Sequence, residues 1–268
     1  KQVSTRQSVG SVLLTRDGAQ FTRFVERGTG HIYEVALAPG GEVRISNTTI
    51  PQAREALFSP VGTRVAITKT TSGGKEIVVG PITKSDDGTE SFEGVTLPQN
   101  AHSPGFSDDG ETFFYALEIA TGTIGYAVDQ NTQTTRPVFS TPLRSVRVTW
   151  TPTPLITTTP SYALLGAAYN SNHTRIDSGR GLLALRSAFG SSTLIAKRGE
   201  GEFSSSIVNG DAQQPLDGVA LPEKCTFISE ASLLCAMPST LDVREFPDSY
   251  LRGSYTTDDT FVVFDTFT

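Results

Sequence analysis

A short turn signature recurs six times in the chain and restricts its possible folds more than any other feature. Each copy has an apolar run, a turn of four or five residues, and a second apolar run. The clearest copies are Phe58-Ser-Pro-Val-Gly62 and Phe106-Ser-Asp-Asp-Gly110. The six turns begin at residues 14, 58, 106, 150, 186 and 227. Ser and Pro open such turns, and Gly supplies the positive φ that closes a tight hairpin, so the copies at 14, 58 and 106 each predict two adjacent antiparallel strands. The copies at 150, 186 and 227 are weaker.

Further short strands follow each turn. Strands directly after the turns are predicted at 21–25, 64–68, 112–116, 155–158, 193–196 and 233–236. Third strands are predicted at 31–36, 76–80, 123–128, 163–169, 203–208 and 261–264, and more polar fourth strands at 42–47, 94–97, 135–139, 174–177 and 218–221. An apolar period of 3.6 residues does not persist over three turns anywhere, so the pattern indicates an all-β protein.

Four strands in about 40–45 residues are typical of one blade of a β-propeller. The sequence therefore predicts a single propeller domain over 1–268, with six blades. The blades are expected at about 8–51, 52–99, 100–143, 144–182, 183–222 and 223–268 plus 1–6. The last blade lacks a fourth strand, and Gln2-Val3-Ser4-Thr5 precedes the first turn without another partner. We expect this N-terminal strand to pair into the last blade and close the ring, which removes the unpaired edge.

A β-sandwich would use similar strands. It would explain neither the six turns nor the unpartnered first strand.

The turns at 58–62 and 106–110, each followed by an apolar strand, resemble the repeats of TolB-like propellers, also called WD-like repeats. The resemblance covers nearly the whole chain, but the Trp-Asp ending of true WD repeats is absent. Segments 23–34, 221–225, 235–238 and 246–250 are similar to uncharacterised bacterial propeller proteins that carry an N-terminal membrane anchor. The resemblance implies a propeller architecture, a binding role and a location outside the cell or at its surface.

Charge and hydropathy restrict the partners that we expect. A net charge of -6 and a pI near 5.1 argue against a protein whose main task is to bind nucleic acid. The longest nearly apolar run, residues 162–169, is too short to cross a bilayer. The chain starts at Lys1 rather than Met, so we expect that a preceding segment was removed. Membrane contact is expected only through a segment absent from this chain.

The two cysteines flank the last turn. Cys225 and Cys235 are centred on residue 230, so a hairpin in that register places them directly opposite each other on adjacent strands. Two interpretations stay open at this point: a disulfide, or two buried thiols that pack as small hydrophobic groups. Their spacing is not that of a metal site, and we expect no metal.

Catalytic motifs are missing from the sequence. There is no G-x-S-x-G elbow and no phosphate-binding loop. Of the three histidines, His102 is the best candidate for chemistry, because it precedes a first strand, where propellers present residues at the mouth of the central channel. We assign no catalytic residue and expect no cofactor.

Two surfaces are candidates for binding. The long connection from 239 to 260 carries Phe246, Tyr250 and Arg252, and aromatic residues and Arg are enriched at interfaces. The alternative is a packed loop anchored by Phe246 and Tyr250. The second surface is the channel mouth, formed by residues before the first strands. Its candidates are Arg54, Glu55, His102, Arg144, Glu223 and Lys224.

The sequence thus predicts a non-catalytic, exported or surface-exposed propeller that binds a protein or peptide. One alternative is a propeller enzyme, a glycan or peptide hydrolase or lyase, with its site at the channel mouth. Another is a structural subunit of a surface assembly.

Overall fold

The computed structural model describes residues 3–38, 40–85, 90–151, 154–199, 202–241, 246–252, 254 and 256–266. These residues form antiparallel sheets, as the sequence predicts, with one short α-helix and one 3-10 turn. The chain divides into two compact units, residues 1–140 and 141–268. Within the described ranges, no helix is long and apolar enough to cross a membrane.

The first unit contains three sheets. The first sheet has the order β1(Ser8–Arg16), β2(Ala19–Glu26), β3(Ile32–Ala36), β4(Glu42–Arg44). The second has β5(Ala53–Phe58), β6(Arg64–Thr71), β7(Gly74–Lys84), β8(Glu90–Phe92), with β9(Val95–Thr96) also paired to β7. The third has β10(Ala101–Phe106), β11(Thr112–Ile119), β12(Gly122–Asp129), β13(Thr135–Thr141).

Strand β6 shows how these sheets pack. Val65 and Ile67 point to one face and join a cluster with Val25 and Ile32 of the first sheet. Ala66, on the other face, joins a cluster that includes Phe113 of the third sheet. Since side chains alternate across a strand, both faces of the second sheet are buried between its neighbours, as in a propeller blade.

The second unit contains two sheets. The fourth sheet has the order β14(Val146–Thr149), β15(Leu155–Thr158), β16(Leu165–Tyr169), β17(Arg175–Arg186), β18(Thr193–Arg198), β19(Phe203–Asn209), β20(Ala212–Pro215). A 3-10 turn, Pro222–Lys224, leads into the last sheet, which has β21(Cys225–Ser229), β22(Ser232–Pro238) and β23(Asp259–Asp265). The helix α1(Asp248–Leu251) lies in the long connection between β22 and β23.

The prediction of six separate four-stranded blades is wrong. Within the described residues, four sheets have four or more strands, and the last has three. The predicted blades 144–182 and 183–222 are one seven-stranded sheet, because the 12-residue strand β17 pairs with β16 through its first half and with β18 through its second half. Leu155 and Ile195, from the two halves of this sheet, share one hydrophobic cluster, so the sheet folds back on itself at β17.

The predicted closure of the ring by residues 1–6 is not found among the described residues, and residues 1–2 lie outside them. In the part of the N-terminus that is described, residues 3–7 form no strand, and the last sheet contains only β21, β22 and β23. The N-terminal segment is instead attached to the first sheet. Arg6 pairs with Glu26 at 2.7 Å and Glu42 at 2.5 Å, and its guanidinium lies 4.2 Å from the centre of the Tyr33 ring. Ser4 also donates a hydrogen bond to Glu42.

One predicted fourth strand is misplaced. Residues 218–221 are not a strand, and the fourth partner in that hairpin series is β20, Ala212–Pro215. Asn209 pairs with Ala212 across a two-residue loop that begins at Gly210, whose φ is 58°. The loop dipeptide Gly210-Asp211, with Gly at the position of positive φ, is a hairpin signal that the sequence analysis missed.

Candidate functional site

The predicted channel-mouth residues of the first unit lie on β5 and β10. Arg54 and Glu55 are exposed on β5, and Arg54 Nε donates to Thr70 Oγ1 at 3.3 Å. His102 lies on β10 with Nδ1 2.9 Å from Ser103 Oγ.

The imidazole of His102 is only partly accessible. Its Nε2 is buried and has no hydrogen-bond partner among the described residues. Burial lowers the pKa of His102, although the charge of Glu118 acts in the opposite direction. The ring is therefore neutral at neutral pH, and a substrate cannot reach Nε2 in this conformation.

The long connection of the second unit contains both buried and exposed candidates. Phe246 is fully buried, with its ring edge-on to Phe203 at 4.7 Å between centres, so it acts as a packing anchor. Arg252 is exposed at the end of α1, and Arg144 is exposed before β14.

Lys224 and Tyr250, from the two predicted surfaces, come together in the second unit. Lys224 Nζ donates to Thr257 Oγ1 and Asp259 Oδ2 and lies 5.5 Å from the centre of the Tyr250 ring. The Lys224 hydrogen bond lowers the pKa of Asp259. These contacts connect the 3-10 turn to the start of β23, so the ammonium of Lys224 is held by the protein's own groups.

Glu223 and Tyr250 border this contact. Burial raises the pKa of Glu223, although Arg147 lies 3.5 Å away. Burial also raises the pKa of Tyr250, and the charges of Glu223 and Asp259 add to that effect. Among the residues that the structure describes, no group of three or more His, Cys, Asp or Glu is arranged to hold a metal ion.

The disulfide interpretation of the cysteines is confirmed. Cys225 and Cys235 are directly opposite in the ladder between β21 and β22, with Cα atoms 4.1 Å apart, and their sulfurs are bonded. The bridge closes the hairpin that carries the sixth turn. An oxidising compartment, such as the extracellular space or the cell envelope, is compatible with this bond.

Strand β23 is an edge that the sequence analysis did not identify as a site. It pairs with β22 on one side, and no strand in the described ranges pairs with its other side. Phe261 is 77% exposed and Val263 is 56% exposed, whereas Phe264, on the opposite face, packs against the core. The alternation of exposed and packed residues could have indicated this face, but the expected N-terminal strand was assigned to cover it.

The hydrogen bonds at the ends of β23 establish which groups face outward. Thr266 N–H donates to Ala231 O at 2.9 Å, and Ser239 N–H donates to Asp258 O at 2.8 Å. In an antiparallel ladder, both backbone groups of every second residue point to the same neighbour. The backbone N–H and C=O groups of the even-numbered residues of β23 therefore point toward β22. The N–H and C=O groups of Phe261 and Val263 face the open side.

Acidic residues lie at both ends of this edge. Asp258 and Asp265 are exposed, and neither forms an ion pair within the described part of the chain. Asp259 is already paired with Lys224. The backbone O of Asp265 accepts a hydrogen bond from Gln214 Nε2 at 3.1 Å, which marks the limit of the open stretch. The open edge therefore consists of two apolar residues between two acidic ends.

A second concave feature lies in the first unit. The N-terminal segment and the first sheet enclose a cleft of about 310 Å³. It is lined by Val3, Ser4, Arg6, Ser8, Ser11, Thr22 and Phe24. Among these lining residues, Arg6 is paired with Glu26 and Glu42, and Val3 and Phe24 add apolar surface to the hydroxyl groups of the serines and Thr22.

Comparisons with solved structures show a β-propeller fold. The chain is similar to the β-propeller domain of the trilobed protease of Pyrococcus furiosus, which has an open Velcro topology: TM-score 0.57, 13% identity, 88% of this chain and 80% of that chain. It is also similar to the acylaminoacyl peptidase of Pyrococcus horikoshii: TM-score 0.55, 13% identity, 85% of this chain but only 43% of the peptidase. A TolB from Acinetobacter baumannii matches with TM-score 0.49 and 15% identity, over 85% of this chain and 57% of that chain.

No family model and no curated protein matches the sequence. At these identities the similarity concerns the fold alone.

Proposed function

We propose that this protein is a non-catalytic binding propeller that takes up an extended segment of a protein partner as an additional strand beside β23. The observation that carries the proposal is the outward-facing backbone of Phe261 and Val263, next to their exposed side chains. An exposed edge of this kind is a template for strand addition, in which main-chain hydrogen bonds supply affinity and side-chain contacts supply specificity.

Two of the predicted binding residues, Phe246 and Lys224, stabilise the part of the fold next to β23. Phe246 packs the long connection against the core, and Lys224 ties the 3-10 turn to Asp259 at the start of β23. The disulfide fixes the hairpin to which β23 is paired. Because these contacts hold the edge in its strand conformation before a partner arrives, binding costs less conformational entropy.

The enzyme alternative receives less support from the site geometry. His102 Nε2 is buried, and the charged groups of Lys224 and Asp259 are bound to each other. We also propose that the protein acts outside the cytosol, at the cell surface or in the extracellular space, and the disulfide supports this location.

A peptide-display selection on the purified protein tests the function. The variant Val263→Pro removes an outward N–H without removing a ladder bond to β22, and proline is tolerated at such edge positions. Val263→Ala is the matched control, because it keeps the N–H. We expect selected peptides to lose at least about tenfold in affinity on Val263→Pro, or roughly 1.4 kcal/mol, and to bind Val263→Ala within a few-fold. Binders that tolerate Val263→Pro, or a selection without binders, would contradict the proposal.

A further inference from the structure

We infer that the partner strand at β23 is amphipathic, with Lys or Arg at both ends and apolar side chains at the positions opposite Phe261 and Val263. This inference rests on the strand addition proposed above and deepens it by naming the chemistry of the segment. It depends on the register of the edge and on the placement of charge along it.

The register determines which positions of the partner are apolar. In an antiparallel pair, residues directly opposite each other project their side chains to the same face. Residues opposite Phe261 and Val263 therefore share the exposed face with two large apolar groups. In the same sheet, Ile228 of β21 is also 50% exposed. Apolar side chains at these two positions cover surface that water now contacts.

The acidic residues at the two ends of β23 determine which charges the ends of the partner strand should carry. A strand of eight residues beside β23 reaches from the position opposite Asp265 to the position opposite Asp258. Both carboxylates are exposed and outside the ion pairs of the described residues, whereas Asp259 is neutralised by Lys224. Opposite charges across neighbouring strands are stabilising, and like charges are destabilising. A basic residue at each end is therefore complementary to this edge.

The same charges disfavour a second copy of this chain as the partner. When β23 pairs with another β23 in the antiparallel register centred on Val262, Asp259 of one copy lies opposite Asp265 of the other, at both ends. Asp258 is adjacent to Asp259 in the chain. Each end of the paired strands would therefore bring together three carboxylates and a single ammonium group, that of Lys224. This arrangement favours a different chain with basic ends.

The test uses fluorescence anisotropy with two labelled peptides on the 268-residue chain. The first is Lys-Thr-Val-Thr-Phe-Thr-Thr-Lys, and the second has Glu at both ends. At low salt we expect the Lys-ended peptide to bind at least tenfold more tightly. The variant Asp258→Lys/Asp265→Lys should reverse this order, and 500 mM salt should narrow the difference, because exposed charges are screened. Glu93→Lys/Asp108→Lys, which makes the same charge change at exposed positions of the other unit, should keep the wild-type order.

The possible failures separate the inference from the proposed function. If both peptides bind equally and Val263→Pro abolishes both, strand addition stands and the charge pattern is wrong. Tighter binding of the Glu-ended peptide, or display-selected peptides without basic ends, would also show that the predicted charge pattern is wrong. If neither peptide binds and the display selection also yields none, the proposed function itself fails. A dimer in light scattering that Val263→Pro converts to a monomer identifies a second copy as the occupant and overturns the inference.

Discussion

At the scale of residues, Arg23 is a buried charged group inside the first unit. Its side chain is 4% exposed and contacts Glu34 at 2.8 Å and Glu90 at 2.7 Å, and it donates a hydrogen bond to Gly62 O at 2.9 Å. It therefore connects the first sheet to the second. The sequence could not show this role, because Glu90 is 67 residues away and nothing local to Arg23 indicates a partner.

Replacing Arg23 tests this connection. Arg23→Ala should lower the free energy of unfolding by about 3–5 kcal/mol, because it leaves carboxylates without their buried counter-charge. Urea denaturation followed by far-UV circular dichroism measures the change. Arg54→Ala, at an exposed position, is the control and should stay within about 0.5 kcal/mol of the wild type. An Arg23→Ala loss no larger than that of the control would contradict the account.

Glu34 makes stability depend on pH. Burial raises its pKa, but the hydrogen bonds from Arg16 and the charges of Arg23 and Arg16 outweigh this effect, so the net shift is downward. The stability from ionised Glu34 is complete above its usual pKa of 4.5 and is lost as pH falls through the lower folded value.

We therefore expect Glu34→Gln to be less stable than the wild type at pH 7 and this difference to shrink as pH falls below about 4. Urea titrations at pH 7, 5, 4 and 3 measure it. A difference that stays constant across this series would show that the charge of Glu34 is not responsible.

At the scale of elements, local signals predicted most of the strands. The turn beginning with Phe106 is closed by Gly110 N–H to Ser107 O at 2.8 Å, and the cysteine register is correct, because a hairpin is determined by residues close in sequence. The error at β17 has a local cause as well. The ladder with β16 ends at Arg180, and the ladder with β18 begins at the same residue, so the change of partner falls inside one continuous strand. It is marked locally by an irregularity between Arg180 and Leu183, where Gly181 has a φ of 62°.

The disulfide predicts a measurable effect on the last sheet. Cys225→Ala/Cys235→Ala should lower the free energy of unfolding by about 2–3 kcal/mol, because the bridge limits the unfolded chain around a short loop. Urea denaturation with and without dithiothreitol provides the measurement and its control. Reductant should destabilise the wild type and leave the double variant unchanged. A wild type that does not respond to reductant under unfolding conditions would show that the bridge does not form.

At the scale of the whole molecule, the β-propeller class was predictable and the closure was not. The repeated turns indicate the class, because every blade requires the same local chemistry. Closure depends on a competition between distant partners for one segment. Arg6 and Ser4 of the N-terminal segment bind carboxylates of the first sheet. The alternating sequence pattern of β23 contains no information about this other binding place for the N-terminal segment. The proposed site is the edge of β23, whose outer side pairs with no strand in the described ranges.

Amide hydrogen exchange along β23, resolved by NMR, tests this open edge most directly. The N–H groups of Phe261 and Val263 should exchange rapidly because they face solvent, whereas those of Val262 and Phe264 should be protected by β22. Addition of the Lys-ended peptide should slow exchange at Phe261 and Val263 only. Equal protection of all four amides in the isolated protein would show that a strand already covers the edge, and would contradict the account.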